Sequence, residues 1–329
     1  MAQIVGVFYA SHSNFCYRKP EDWNRFRGRR SLKADVPMDD EQTNLRKFER
    51  IQAGMAAIKR KLTESAPDVI VVYGDDQGEC FDFRNYPPFA IYVGDSFEGH
   101  FTEADLPAGE QPPATARRRL MGKGHSAFAT SLLTGLLKRG FDPAYCMDSP
   151  KPAPDIGHAF MRPLQSLTNG DTPIVPVFIN AFFAPQPSAA RCYALGKAVR
   201  ELVEAMPENL RVALVGSGGL WHTPNAKGAW LDEAFDKTIL DHLVKGDVKG
   251  MAAAFDNYRV PAWDTSQDIS VRGAMATGLP GVDGPQSGTR EICNWVAASA
   301  AVEGRTTTVV DCVPVYASPC NVAFAYANL

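Results

Sequence analysis

No run of eighteen apolar residues occurs in this 329-residue chain, so no segment is suited to crossing a bilayer as a helix. Excess positive charge is missing too. The 34 Lys and Arg against 37 Asp and Glu leave a net charge of -3, with pI ≈ 6.1, which argues against a nucleic-acid or other polyanionic partner. The seven cysteines (Cys16, Cys80, Cys146, Cys192, Cys293, Cys312 and Cys320) are odd in number and scattered, with no CxxC pair. They read as reduced thiols of a cytoplasmic protein rather than a disulfide or zinc framework. The opening MAQIVGVFYASH lacks a basic region and enters a strand pattern directly, so no signal peptide is expected. Gly/Ser linkers, low-complexity tracts and internal repeats are absent, and a single domain over 1–329 is the expectation.

What is present is a rhythm of buried strands and amphipathic helices. Ile4 to Tyr9, Val69 to Tyr73, Ala90 to Val93, Ile174 to Ile179, Val212 to Val215 and Thr307 to Val315 are short apolar runs bounded by Gly, Pro or polar clusters. Between them, Thr43 to Ser65, Ala127 to Lys138, Ser188 to Val203, Trp230 to Val244 and Gly288 to Ala301 carry helical spacing. The alternation predicts an α/β fold: a central mixed, mostly parallel sheet with helices on both faces. In such sheets ligands gather beyond the carboxyl ends of the strands.

Several of those ends are polar. Val69–Tyr73 runs into Gly74, Asp75, Asp76, Gln77 and Glu79, and three carboxylates within five residues call for a cation, an arginine or a bound proton. The ordinary alternative is an Asp-rich turn with solvated side chains. Asp76 or Gln77 is expected to face the site, with Asp75 turned toward backbone amides. The first strand ends on Ser11 and His12. His222 follows a strand and the turn Gly216-Ser217-Gly218-Gly219, where glycines let the backbone pass close to a neighbour. Both histidines therefore belong to the predicted rim, although a loop histidine is often only a satisfied structural group. Glu233 opens the helix at Trp230, where a carboxylate also suits the helix dipole.

The pieces ASH ending at His12, VVYGDD ending at Asp76, NAFFAPQPSAARCYALG from Asn180 to Gly196, GSGGLWH ending at His222 and LDEAFD from Leu231 to Asp236 stand in an order that resembles the class III extradiol ring-cleavage dioxygenases. That family includes the β subunit of protocatechuate 4,5-dioxygenase, and the GDDQ turn is similar to a branch acting on lignin-derived methoxylated catechols. The resemblance implies one cytoplasmic catalytic domain, a homo-oligomer such as a dimer, that opens a catecholic aromatic acid (protocatechuate, gallate or 3-O-methylgallate in kind) with O2 at Fe(II). It implies His12 and Glu233 as metal ligands, Asp76 or Gln77 in place of the family's second histidine, and His222 as the acid/base. An imidazole titrating near neutrality suits that last role.

Arginines in the loop after His12 (Arg18, Arg27, Arg29 and Arg30) suit a ring carboxylate, with Arg29 the chosen candidate, because a guanidinium binds carboxylates through paired hydrogen bonds. Trp221 offers a stacking face and Asn180 a polar group at a strand end, each equally at home in the core. The alternative reading is a metal-free hydrolase or decarboxylase working through His222, or a non-catalytic partner subunit.

Overall fold

The computed structural model describes residues 1–28, 30–82, 84–100, 119–148, 156–183, 185–223, 228–258 and 287–329. The strands are β1 (Gln3–Ala10), β2 (Val69–Gly74), β3 (Phe89–Tyr92), β4 (Ser96–His100), β5 (Arg119–Lys123), β6 (Ala144–Cys146), β7 (Ile174–Ile179), β8 (Arg211–Ser217), β9 (Thr308–Val315) and β10 (Cys320–Asn328). Eight of them form one mixed sheet in the order β6-β3-β7-β2-β8-β1-β10-β9, and β4 and β5 form a separate hairpin. The middle strands β7, β2, β8 and β1 are mutually parallel, while β10 and β9 add an antiparallel border beside β1.

Alternate residues of a strand face opposite sides of a sheet, and here each side has its own apolar core. Val7, Tyr9, Val69, Val71, Tyr73, Val212 and Leu214 point into one cluster. Phe8, Ala10, Ile70, Val72, Ala213 and Val215 point into the other. The first cluster is completed by α3 (Ser126–Leu137), α5 (Ala189–Ala205), α6 (Glu233–Lys245), α7 (Val248–Asn257) and α8 (Ile292–Ser299); the second is covered by α2 (Glu41–Glu64) and α4 (His158–Leu167). A short helix, α1 (Trp23–Arg27), lies in the loop after β1. The expected α/β architecture, with helices on both faces of a mixed sheet, is therefore the observed one.

The helices begin where the sequence offers caps. Asp40 accepts from the Thr43 amide at 2.7 Å to start α2, and Ser188 accepts from the Arg191 amide at 3.1 Å to start α5. Each satisfies an otherwise orphaned first-turn donor. Asp232 caps α6 through the Phe235 amide, which leaves Glu233 as its first residue. Two elements lack such signals: β10 is rich in alanine and asparagine, which are poor strand formers, and α4 contains Pro163. No helix among the described residues is long and apolar enough to cross a membrane.

Candidate metal and active site

Because β2, β8 and β1 are adjacent and parallel, the residues just past their ends meet. His12 lies two residues beyond β1 and is buried. Its Nδ1 is 2.9 Å from Ser217 Oγ, and that hydroxyl in turn donates to the Ala159 carbonyl at 2.6 Å. A hydroxyl has one hydrogen, so Nδ1 of His12 must be the donor to Ser217. In the neutral ring the Nε2 lone pair then faces inward, as a metal ligand requires. Nε2 is 3.3 Å from Glu291 Oε2 and 3.9 Å from Asp75 Oδ1. One donor atom from each of His12, Asp75 and Glu291 lies within 4.8 Å of the others, and all three residues are buried.

Asp75 directly follows β2. Its Oδ2 accepts from Gln77 Nε2 at 3.3 Å, but Oδ1 is buried without a hydrogen-bond partner. Burial, and after it the nearby charge of Glu291, pushes the Asp75 carboxyl up to about 8. Two carboxylates with a bare oxygen between them are costly in the interior unless a proton or a cation joins them. The orphaned oxygen, the inward Nε2 and the hard donor set together fit a divalent metal ion.

Glu291 closes a 3-10 turn (Ser287–Glu291) that leads into α8. Oε2 accepts from the Gly219 amide at 3.0 Å; Oε1 faces Gln77 Nε2 at 3.3 Å and His222 Nε2 at 3.1 Å. Burial alone raises a carboxyl, yet the charges of His222 and His12 and their hydrogen bonds hold this one well below the usual range. On His222, Nδ1 donates to the Leu220 carbonyl at 2.8 Å, so Nε2 is the atom left to exchange a proton. Burial opposes a charged ring, but the Glu291 carboxylate outweighs it and brings His222 up to about 9.

A third histidine completes the wall. His158, the first residue of α4, meets the His12 ring edge-on at 4.7 Å between centroids, and its Nδ1 is 2.7 Å from Glu79 Oε1. One turn along, Arg162 donates to the His12 carbonyl at 2.6 Å and to Asn14 Oδ1. These groups surround a cavity of about 110 Å³ whose lining also includes Phe15, Phe26, Arg30, Ser318 and Cys320.

The structure thus brings His12, Gln77 and His222 together and departs from the sequence expectation elsewhere. Asp76 and Asp75 exchange the roles expected of them. The Asp76 carboxylate is taken up by the backbone amides of Gly78, Glu79, Cys80 and Phe81 at 2.7 to 3.2 Å, which builds the turn and leaves it no free face for a metal. Glu233 is exposed on α6 and accepts from the Tyr316 hydroxyl at 2.6 Å; the carboxylate beside His12 belongs to Glu291 instead. Trp221 is 1 % exposed and packs in the core, donating to the Trp230 carbonyl. Asn180 spends its side chain on its own turn, on Phe183 and Pro185. Arg29 lies outside the described residues. Glu291 carried one overlooked signal, a lone acid entering an otherwise apolar helical run, ICNWVAASAAV.

A family described as the catalytic LigB subunit of aromatic ring-opening dioxygenase matches residues 36–307. The chain belongs to this family. Among characterised relatives, it is similar to the 2,3-dihydroxyphenylpropionate/2,3-dihydroxicinnamic acid 1,2-dioxygenase of Klebsiella pneumoniae, with 30% identity over 190 residues, 57% of this chain and 52% of that protein. The Escherichia coli protein of the same name is 29% identical over 181 residues, 54% of this chain and 50% of that one. The chain spans about half the length of the curated relatives it matches. An uncharacterized Escherichia coli K12 protein of known structure overlays 98% of this chain and 100% of its own at a TM-score of 0.45 and 11% identity.

Proposed function

We propose that the protein is an extradiol dioxygenase that opens the ring of a catecholic aromatic acid with O2, using Fe(II) held by His12, Asp75 and Glu291. The observation that carries this reading is the buried convergence of His12 Nε2, the orphaned Asp75 Oδ1 and Glu291 Oε2 beside a histidine that is not part of the trio. Membership of the ring-opening family supports the reaction class, and the names of the relatives, matched over about half of their length, support an acidic catechol. Fe(II) held by these residues would supply the electron density that activates dioxygen.

The residues divide the remaining work. Two carboxylates would neutralise a divalent ion held here, so the site would favour the diol as a monoanion over a dianion, and the proton given up would pass to a nearby base. His222 Nε2 is placed for that transfer. Without a cation, Glu291 Oε1 at 3.1 Å keeps the proton on this nitrogen. With the Glu291 charge engaged, that hold weakens and Nε2 can accept a substrate proton and return it later. Gln77 bridges Asp75 and Glu291 and keeps both oxygens aimed inward. Ser217 holds the His12 ring through Nδ1.

The test is oxygen uptake by anaerobically purified, Fe(II)-loaded protein with catechol, protocatechuate, gallate, 3-O-methylgallate and 2,3-dihydroxyphenylpropionate. Uptake with appearance of a ring-opened product is expected for at least one acid. A protein that retains Fe(II) and consumes no oxygen with any of them is not a ring-cleaving enzyme. Parallel loading with Mn(II) and Mg(II) checks the metal, because a set with two carboxylates is harder than one with two histidines.

A further inference from the structure

We propose that Thr289 is a positioning residue of this site: its hydroxyl fastens His222 to the turn that carries Glu291, so that the acid/base and the metal ligand are placed as one unit. The roles of His222 and Glu291 rest on the ring-cleavage reading above. Thr289 belongs to the 3-10 turn Ser287–Glu291, is buried, and takes no part in the cavity lining. Its single hydroxyl makes two hydrogen bonds to one residue. It accepts from the His222 amide at 3.1 Å and donates to the His222 carbonyl at 3.2 Å, and a hydroxyl can do both at once.

Other contacts show that these two bonds act on His222 itself. An isolated antiparallel bridge pairs His222 with Cys320, and its backbone bond runs between their neighbours, from the Asn321 amide to the Trp221 carbonyl at 3.0 Å. A residue paired in that way turns its own N–H and C=O away from the partner strand, and Thr289 lies where they turn. Trp221 is held separately by the buried Asp236 carboxylate, whose two oxygens accept from its amide at 2.9 and 3.1 Å. The ring of His222 is fixed through Nδ1 to the Leu220 carbonyl at 2.8 Å, with Nε2 facing Glu291 Oε1 at 3.1 Å. The Ser287–Glu291 turn passes so close to that ring that a Cβ at Gly288 would stand 1.8 Å from Nε2. Thr289 and Glu291 share this short turn, so a displacement of the turn carries the backbone of His222 along with the carboxylate its ring faces. Proton transfer works over hydrogen-bond distances, and a misplacement of about 1 Å can cost on the order of 100-fold in rate.

Thr289→Val keeps the shape of the side chain and removes both bonds, whereas Thr289→Ser keeps the hydroxyl. Fe(II)-loaded proteins are compared with the catechol of the panel above that gives the fastest oxygen uptake. Thr289→Val should bind Fe(II) and, anaerobically, the catechol within about threefold of wild type while kcat falls about 10- to 100-fold, and Thr289→Ser should recover kcat to within about threefold. Thr289→Ala covers the case in which the extra methyl of valine disturbs the packing. Hydrogen exchange, read by mass spectrometry on the peptide containing His222, gives a readout free of turnover. Loading with Fe(II) should slow exchange at the His222 amide in wild type and Thr289→Ser, and this slowing should vanish in Thr289→Val and Thr289→Ala. An unchanged kcat in Thr289→Val, or a loss shared equally by Thr289→Ser, overturns the inference. So does an exchange rate at His222 that ignores the metal in wild type or keeps its metal dependence in Thr289→Val. A wild-type protein that consumes no oxygen with any catechol of the panel refutes ring cleavage, and the exchange rates then decide on their own whether Thr289 joins His222 to the Glu291 turn.

Discussion

A Cβ placed on Gly218 stands 2.2 Å from Glu291 Oε2 and 2.9 Å from His12 Cε1, and Gly218 holds φ at +100°. The turn after β8 can therefore carry only glycine at this position while Glu291 reaches toward His12. Gly218→Ala should displace the Glu291 carboxylate and weaken metal binding by at least tenfold, with a backbone penalty on the order of 1–3 kcal/mol in stability. Metal titration and urea unfolding of the same variant measure the two effects. An alanine variant with native metal affinity means that Glu291 is not held where the metal binds.

Two glutamates at helix starts should behave oppositely. Glu291→Ala removes a carboxylate that both His12 and His222 face, and it should purify without bound metal. Glu233→Ala removes an exposed partner of Tyr316 and should keep a full metal complement, with a stability change within about 0.5 kcal/mol. Metal analysis of the two proteins side by side decides the assignment; loss of metal from Glu233→Ala alone reverses it.

His222 is bonded through Nδ1 to the Leu220 carbonyl and stands outside the His12–Asp75–Glu291 trio. His222→Ala should hold metal and bind substrate anaerobically while turnover falls by about 10²–10⁴-fold, the usual contribution of a general acid/base. Spectroscopic titration with substrate separates this from a ligand role: absent metal in the variant would falsify the assignment.

The Glu79 and His158 pair gives a pH signature. Burial works to raise the Glu79 carboxyl, but the charge of His158 and the hydrogen bonds from its ring and backbone N–H bring it from 4.5 down to about 2. A carboxyl depressed in the folded state contributes stability that is complete above its unfolded value and is lost as pH falls through its folded value. Glu79→Gln should therefore be less stable than wild type at pH 5 to 6, with the gap closing toward about 2, as read by urea unfolding across that range. A constant gap at all pH values assigns Glu79 a packing role only.

How legible the site was depended on how local each residue's cause is. His12 and His222 follow apolar runs and glycines, and the parallel neighbours β1, β8 and β2 bring those ends together for reasons visible in the runs themselves. The choice between Asp75 and Asp76 was not local. Successive side chains leave a strand end in different directions, and the four amides that capture Asp76 belong to a turn that Tyr86 also holds from a distance in sequence by donating to the Asp76 carbonyl. Glu291 was harder still, because a helix-start glutamate looks alike at 233 and 291. Burial by packing decides between them: Ile292 and Trp295 sit in the core beside β8, whereas the first turn of α6 faces solvent at Glu233. Strand β10 was missed because its alanines are strand only by virtue of their neighbours β1 and β9.

The three donors come from the first strand's end, the second strand's end and a turn close to the last helix, so no short fragment of the chain contains more than one of them. An unfolded chain therefore has no site for the ion to occupy, and binding acts by mass action on the native state alone. At a free-metal concentration a hundredfold above Kd, that coupling adds about 2.7 kcal/mol to the unfolding free energy. On the proposed assignment, metal supply should set the protein's lifetime as well as its turnover, with metal-stripped protein the more readily proteolysed.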